Sequence, residues 1–246
     1  MTERHLFLKG RSGTGKTTWL LSCLKPYWKE AGGFLTQRLM DGTGETVGFC
    51  LLPVENMTEP PPVTRLYEPG IEGIFIEKTP EGWRKYPEVF ETMGAEILDR
   101  LLDRPERYRF CYIDEAGGVE LKVKPFMERL ERLLDGPLFC IGVLKHSDNL
   151  AAMGTRVSLS ANAAPDRNRL ESKMEQRFHC RILSFAGAED EKMEIRRMIQ
   201  QRLAGTAEKE CEGYGGKTPG TYAAYCDDCV VCHLFFRIIY AWKISD

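Results

Sequence analysis

A glycine-rich turn, GRSGTGKTT at Gly10 to Thr18, follows directly on the short apolar run HLFL. Glycine lets a backbone bend tightly and aim several N–H groups at one anion. Gly10, Gly15, Lys16 and Thr17 fit the spacing G-x-x-x-x-G-K-[ST], the P-loop pattern for nucleotide phosphates. Its flanks match what the pattern requires, because His5 to Lys9 reads as a buried strand and Lys16 to Lys29 as a helix. Backbone N–H groups from Gly10 through Arg11, Ser12, Gly13 and Thr14 to Gly15, with the positive end of that helix, would hold the α- and β-phosphates. Lys16 would reach the β- and γ-phosphates, and the Thr17 hydroxyl would ligate Mg²⁺. A strand–turn–helix of this kind commits the chain to an α/β fold.

The rest of the sequence continues the alternation. Gly33 to Met40 and Thr46 to Val54 are β-type runs joined by DGTGE, a hairpin signal. The proline-rich stretch ENMTEPPPVTRLYEPG breaks regular structure. Ile71 to Glu77 reads as a strand. Pro87 to Leu102 places Val89, Phe90, Met93, Ile97, Leu98, Leu101 and Leu102 on one helical face. Tyr108 to Asp114 and Pro137 to Leu144 are strands around a helix at Lys124 to Leu134. Asp166 to Gln176 is helical, Phe178 to Phe185 extended and Glu189 to Leu203 helical. The pattern predicts a mostly parallel sheet with helices on both faces, plus an antiparallel hairpin. After Leu203 the composition turns Gly-rich and polar, which divides the chain into a main domain at 1–204 and a Cys-rich appendage at 205–246.

At 246 residues the chain can bury a full core. Its net charge of −2 gives no bulk electrostatic case for nucleic acid as a partner. The start MTERHLFLKG is too short in apolar residues for a signal peptide, and Leu234 to Trp242 is interrupted by Arg237 and falls short of a membrane span. A cytoplasmic protein with reduced thiols is expected. Cys23, Cys50, Cys111, Cys140 and Cys180 lie in or beside apolar segments and read as small core residues.

A P-loop binds nucleotide, but hydrolysis also needs a carboxylate to hold metal and a group to direct water. FCYIDEAGGVEL supplies both. Asp114 and Glu115 end an apolar strand at the C-terminal sheet edge, where open α/β sheets bind ligands. Asp114 would hold Mg²⁺, directly or through water, and Glu115, one residue on, would point elsewhere and act as general base on water.

Taken together, GRSGTGKTT, GGFLTQRL with ETVGFCLL, YIDEAGGVEL followed by Phe126, and FCIGVL resemble the THEP-type nucleoside-triphosphatases, also called cancer-related NTPases. The likeness covers about the first 145 residues. It implies a three-layer P-loop fold of the RecA-like branch, and slow, Mg²⁺-dependent hydrolysis of ATP, GTP and other nucleoside triphosphates to the diphosphate. Carried over by motif, phosphate contacts fall on Gly13, Gly15, Lys16, Thr17 and Thr18. The metal and water roles fall on Asp114 and Glu115, and Glu120 matches a further acidic position. DE-A-G stands here where the family has DE-I-G. An arginine often adds charge at the γ-phosphate; Arg38, Arg65, Arg167 and Arg169 are candidates, with Arg38 first because its segment matches the family.

The tail holds CDDCVVC, a C-x₂-C-x₂-C run at Cys226, Cys229 and Cys232, with His233 adjacent and Cys211 upstream. Thiolates at this spacing suit a zinc or an iron–sulfur site, and a buried helical face explains the same spacing. LFFRIIYAW is apolar enough to pack on the main domain or on a second subunit, giving self-association. The leading function is an NTP phosphohydrolase. A nucleotide or small-molecule kinase shares the P-loop, and a nucleotide-gated binding or metal-cluster accessory protein would use the tail as effector.

Overall fold

Unbroken apolar runs make up the central strands and bury both faces of one sheet. In β1 (His5–Lys9), Phe7 packs to one side and Leu6 and Leu8 to the other. In β7 (Phe110–Ala116), Cys111 and Ile113 share the face of Phe7, while Phe110 and Tyr112 share that of Leu6. In β8 (Cys140–Leu144), Ile141 and Val143 lie on the Leu6 face. A strand buried on both sides needs helices on both sides. The computed structural model describes residues 3–146 and 163–211.

One face is covered by α1 (Lys16–Leu24) and by Ile195, Ile199 and Leu203 of α5 (Glu189–Cys211). The other is covered by α2 (Ala95–Asp103), α3 (Lys124–Asp135) and the buried Leu170 and Met174 of α4 (Ala163–Gln176). Trp28 is fully buried and meets Phe110 and Tyr112 edge-on, at centroid separations of 6.1 and 5.5 Å. Burying each side chain of this size contributes ~2–3 kcal/mol. The result is the three-layer α/β/α arrangement expected from the alternation, within one unit spanning Met1–Thr206.

The remaining strands are β2 (Ala31–Met40), β3 (Thr46–Pro53), β4 (Thr64–Leu66), β5 (Ile74–Thr79), β6 (Gly82–Lys85) and β9 (Cys180–Ser184). The sheet runs β6-β5-β3-β2-β7-β8-β1-β9, with β4 paired beside β2. Pairs β2–β7, β7–β8, β8–β1, β1–β9 and β2–β4 are parallel. The β2–β3–β5–β6 side is antiparallel and includes the expected hairpin. β8 therefore separates the P-loop strand from the strand that carries Asp114 and Glu115.

Three departures have local causes. The helix expected to Lys29 stops at Leu24 and continues as a 3₁₀ segment, Lys25–Glu30, because Pro26 has no N–H to donate. The helix expected from Pro87 opens with a π-helical turn, Phe90–Gly94, in which Phe90 packs on Phe75 and Phe126 at 5.1 and 5.3 Å. The proline-rich stretch contains β4, three exposed residues held by backbone pairing to β2 alone. Cys50, Cys111, Cys140 and Cys180 are buried and Cys23 is half-buried, all as free thiols. Among the described residues no helix is long and apolar enough to cross a membrane.

Candidate functional site

The P-loop leaves β1 at Gly10 and enters α1 through Gly15, whose φ of 77° lies in the left-handed region that side chains resist. No side chain caps α1, and its first turn carries no acid. Its leading N–H groups therefore face the loop cavity without an internal partner, which is the electrostatics of an anion site. Lys16 curls into that cavity, donating to the Arg11 carbonyl at 2.6 Å and to Thr14 Oγ1 at 3.3 Å. Burial lowers its pKa, against the carboxylates of Glu115 and Asp114, which raise it.

Asp114 comes to the loop from β7. Its Oδ1 accepts from Thr17 Oγ1 at 3.1 Å and from the Tyr112 hydroxyl at 3.3 Å; its Oδ2 accepts from the Thr36 N–H at 3.2 Å. That last bond depends on a glycine. Gly33 has φ 101°, and a Cβ there would lie 2.1 Å from the Tyr112 carbonyl oxygen. β2 pairs with β7 only from Ala31 to Phe34 and then diverges, so the Thr36 N–H meets a carboxylate instead of the strand ladder. The Gly-Gly-Phe-x-Thr segment thus serves the site directly. Asp114 is 3% exposed, and burial, aided by the Glu115 charge, pushes its pKa up to about 7.

Adjacent residues on a regular strand point to opposite faces. Here both carboxylates line one cleft, because the β7–β8 register slips by one residue between Ile113 and Ala116. Glu115 sits in this bulge with φ 52°, a left-handed conformation costing about 1–2 kcal/mol for a residue with a Cβ. Its Oε2 accepts from Lys145 Nζ at 3.2 Å. The Lys145 ammonium holds the Glu115 carboxyl below the usual carboxylate range, with smaller help from Lys16 and Arg38.

The cleft has a volume of about 250 Å³. Ser12, Gly13, Gly15, Lys16, Thr17 and Thr18 line one side, and Thr36, Arg38, Phe49, Val63, Thr64, Asp114 and Glu115 the other. Of the candidate arginines, Arg38 reaches this cleft, its guanidinium 6.0 Å from the Phe49 ring. Arg65 lies on exposed β4, and Arg169 is exposed and pairs with Asp166. Arg167 is buried and donates from Nε to the Lys145 carbonyl at 2.6 Å, while its Nη1 binds Glu171. Glu120 closes the turn after β7, its Oε1 accepting from the N–H groups of Gly117 and Gly118 at 2.5 and 2.8 Å.

Comparisons with known proteins agree with the P-loop fold. Residues 5–162 match the sequence profile of the family described as NTPase. The chain belongs to that NTPase family. It is 27% identical over 150 residues to the nucleoside-triphosphatase THEP1 of Thermotoga maritima, covering 58% of this chain and 75% of the relative. To the cancer-related nucleoside-triphosphatase homolog of Mus musculus it is 27% identical over 139 residues, covering 55% of this chain and 71% of the relative. The crystal structure of THEP1 from Aquifex aeolicus superposes with a TM-score of 0.52 at 19% identity, covering 81% of this chain and 98% of that one. Membership makes the chain an enzyme of the NTPase type on a P-loop fold, as the motifs lead one to expect.

Thr17 and Asp114 place hard oxygen donors beside each other, and the buried Asp114 carboxylate is charge-deficient in partners. This donor set fits Mg²⁺, which prefers one or two carboxylates and completes its shell with water and phosphate oxygens. Among the described residues no group of three His, Cys, Asp or Glu side chains is assembled for a metal. Cys211 ends α5; Cys226, Cys229, Cys232 and His233 lie outside the described residues. The roles of two site residues escape a motif search. Thr36 is carried by the hairpin motif, though its bond to Asp114 is not. Lys145 was discoverable only by position, as the residue following the buried strand between β1 and β7.

Proposed function

We propose that the chain hydrolyses nucleoside triphosphates to the diphosphate and phosphate in the cleft between the P-loop and β7, with Mg²⁺ and with little regard to the base. One observation carries this reading: the bulge that turns Asp114 and Glu115 together toward the P-loop cavity. Loop N–H groups and the α1 terminus bind the phosphates, and Lys16 exchanges its loop carbonyl for phosphate oxygen. Thr17 and Asp114 would hold Mg²⁺, which neutralises charge on the phosphate oxygens when bound. Glu115, ionised by Lys145, accepts a proton from water and directs the oxygen at the γ-phosphorus. The P–O bond to the β-phosphate breaks and the diphosphate leaves. Arg38 supplies positive charge on the γ side. Contacts made through the phosphates are common to every nucleoside triphosphate, which supports breadth.

The test is phosphate release from ATP, GTP, CTP and UTP in H₂¹⁸O with no acceptor added. Release of phosphate carrying one ¹⁸O from all four is the expected result. Turnover that appears only when an alcohol or phosphate acceptor is supplied would instead mark a kinase.

A further inference from the structure

Lys145 follows β8, the strand between the P-loop strand and β7, and is 9% exposed. Its backbone is fixed on both sides: the N–H donates to the Ala116 carbonyl at 2.8 Å, and the carbonyl accepts from Arg167 Nε at 2.6 Å. Arg167 is itself held by Glu171, whose other oxygen takes Lys9 Nζ at 2.6 Å. A chain of buried and half-buried charges thus runs from the end of β1 through α4 to Lys145. With its backbone immobilised, the lysine delivers its ammonium to Glu115 Oε2 at 3.2 Å. Among the described residues no donor binds the other oxygen, Oε1, and the Glu115 side chain keeps 32% of its surface open beside the cleft.

We infer that Lys145 is a positioning residue for hydrolysis: it pins Glu115 by Oε2 so that Oε1 is presented to the attacking water. The inference rests on Glu115 acting as base. A carboxylate on a bulge with a left-handed backbone has no regular strand geometry to aim it, so a second anchor must set its direction. Misplacing a reacting group by about 1 Å costs roughly a hundredfold in rate. Lys145 lies off the lining of the cleft that the P-loop shares with Thr17 and Asp114, so its loss should act on kcat and spare nucleotide affinity.

The experiment is a double-mutant cycle in the full chain, using Lys145→Met, Lys145→Arg and Glu115→Gln with ATP and Mg²⁺. Lys145→Met should lower kcat by roughly ten- to a hundredfold with KM within about twofold of wild type. Lys145→Arg, which keeps the cation, should recover much of that loss. In the Glu115→Gln background, Lys145→Met should cause no further fall, because the group it positions is already gone. An equal loss of kcat in both backgrounds would overturn the inference, as would a Lys145→Met enzyme with wild-type kcat beside an impaired Glu115→Gln enzyme. Wild-type kcat in Glu115→Gln alone would overturn the base assignment beneath it. Should Lys145→Met fail to fold, Lys145→Arg and Lys145→Gln decide: the inference requires Arg to exceed Gln in kcat at matched KM.

Discussion

Thr17 and Asp114, 97 residues apart in the chain, are joined by a 3.1 Å hydrogen bond from the threonine hydroxyl to Oδ1. The bond ties the first turn of α1 to the end of β7 and brings both oxygens to the mouth of the P-loop. It also leaves a carboxylate 3% exposed among neutral donors, with Glu115 repelling it. Such a site favours a cation and is costly without one.

Above about pH 7, where Asp114 is ionised, Asp114→Asn should therefore stabilise the metal-free protein, while disabling it at any pH. Removing an uncompensated buried charge worth about 1 kcal/mol corresponds to a Tm rise of roughly 2–4 °C for a domain of this size. Phosphate release should fall by roughly two orders of magnitude or more with a metal-binding oxygen gone. Calorimetry and a phosphate assay on the same preparation check both halves.

The same carboxyl sets a pH dependence. Asp114 keeps its proton to about pH 7 in the folded protein, against an ordinary value of 3.8. Between those values the folded state binds more protons than the unfolded chain, so Asp114 lowers stability as pH rises through the window. Metal-free wild type should lose Tm from pH 5 to pH 8 relative to Asp114→Asn. Mg²⁺ should restore it at pH 8, and a chelator should reverse the gain. A melt across pH, with and without Mg²⁺, reads this directly.

Arg38 lines the cleft and should matter for rate more than Arg65 and Arg169, which do not. Arg38→Ala is expected to cut kcat by roughly a hundredfold, the order expected for one charge-stabilising donor. Arg65→Ala and Arg169→Ala should stay near wild type, since Arg65 lies off the cleft lining and Arg169 pairs with Asp166. Steady-state kinetics on the three variants separates them.

Gly33 should tolerate no side chain. Alanine there would combine a φ of 101° with a Cβ 2.1 Å from the Tyr112 carbonyl oxygen. A loss of about 2–4 kcal/mol is expected, adding backbone strain to overpacking. Because β2 would shift, Thr36 would also leave Asp114. Denaturant unfolding measures the first effect and Mg²⁺ affinity the second.

Much of this was readable from residue order. The P-loop spacing placed Gly10 to Thr18, the strand-end rule placed Asp114 and Glu115, and short unbroken apolar runs marked the buried parallel strands. Short elements held by pairing instead of burial were not readable. β4 is three exposed residues, and β6 (Gly-Trp-Arg-Lys) has only half-buried or exposed side chains, so neither leaves an apolar signature. The β7 bulge also left no trace, because a one-residue slip is a property of two strands together. Without the bulge, Glu115 would be expected to face away from Asp114. Lys145 and Arg167 were invisible as a pair because their link runs through a backbone carbonyl, which no residue pattern encodes.

The claim that the cleft is a hydrolytic centre is tested most directly by comparing wild type, Lys16→Ala and Glu115→Gln with one radiolabelled nucleoside triphosphate. Binding at equilibrium and a single turnover would be measured together. Glu115→Gln should bind as wild type does and turn over roughly two to four orders of magnitude more slowly, while Lys16→Ala should lose binding and turnover together for every nucleotide tried. Wild-type turnover in Glu115→Gln, or Lys16→Ala retaining hydrolysis of any one nucleotide, would contradict it.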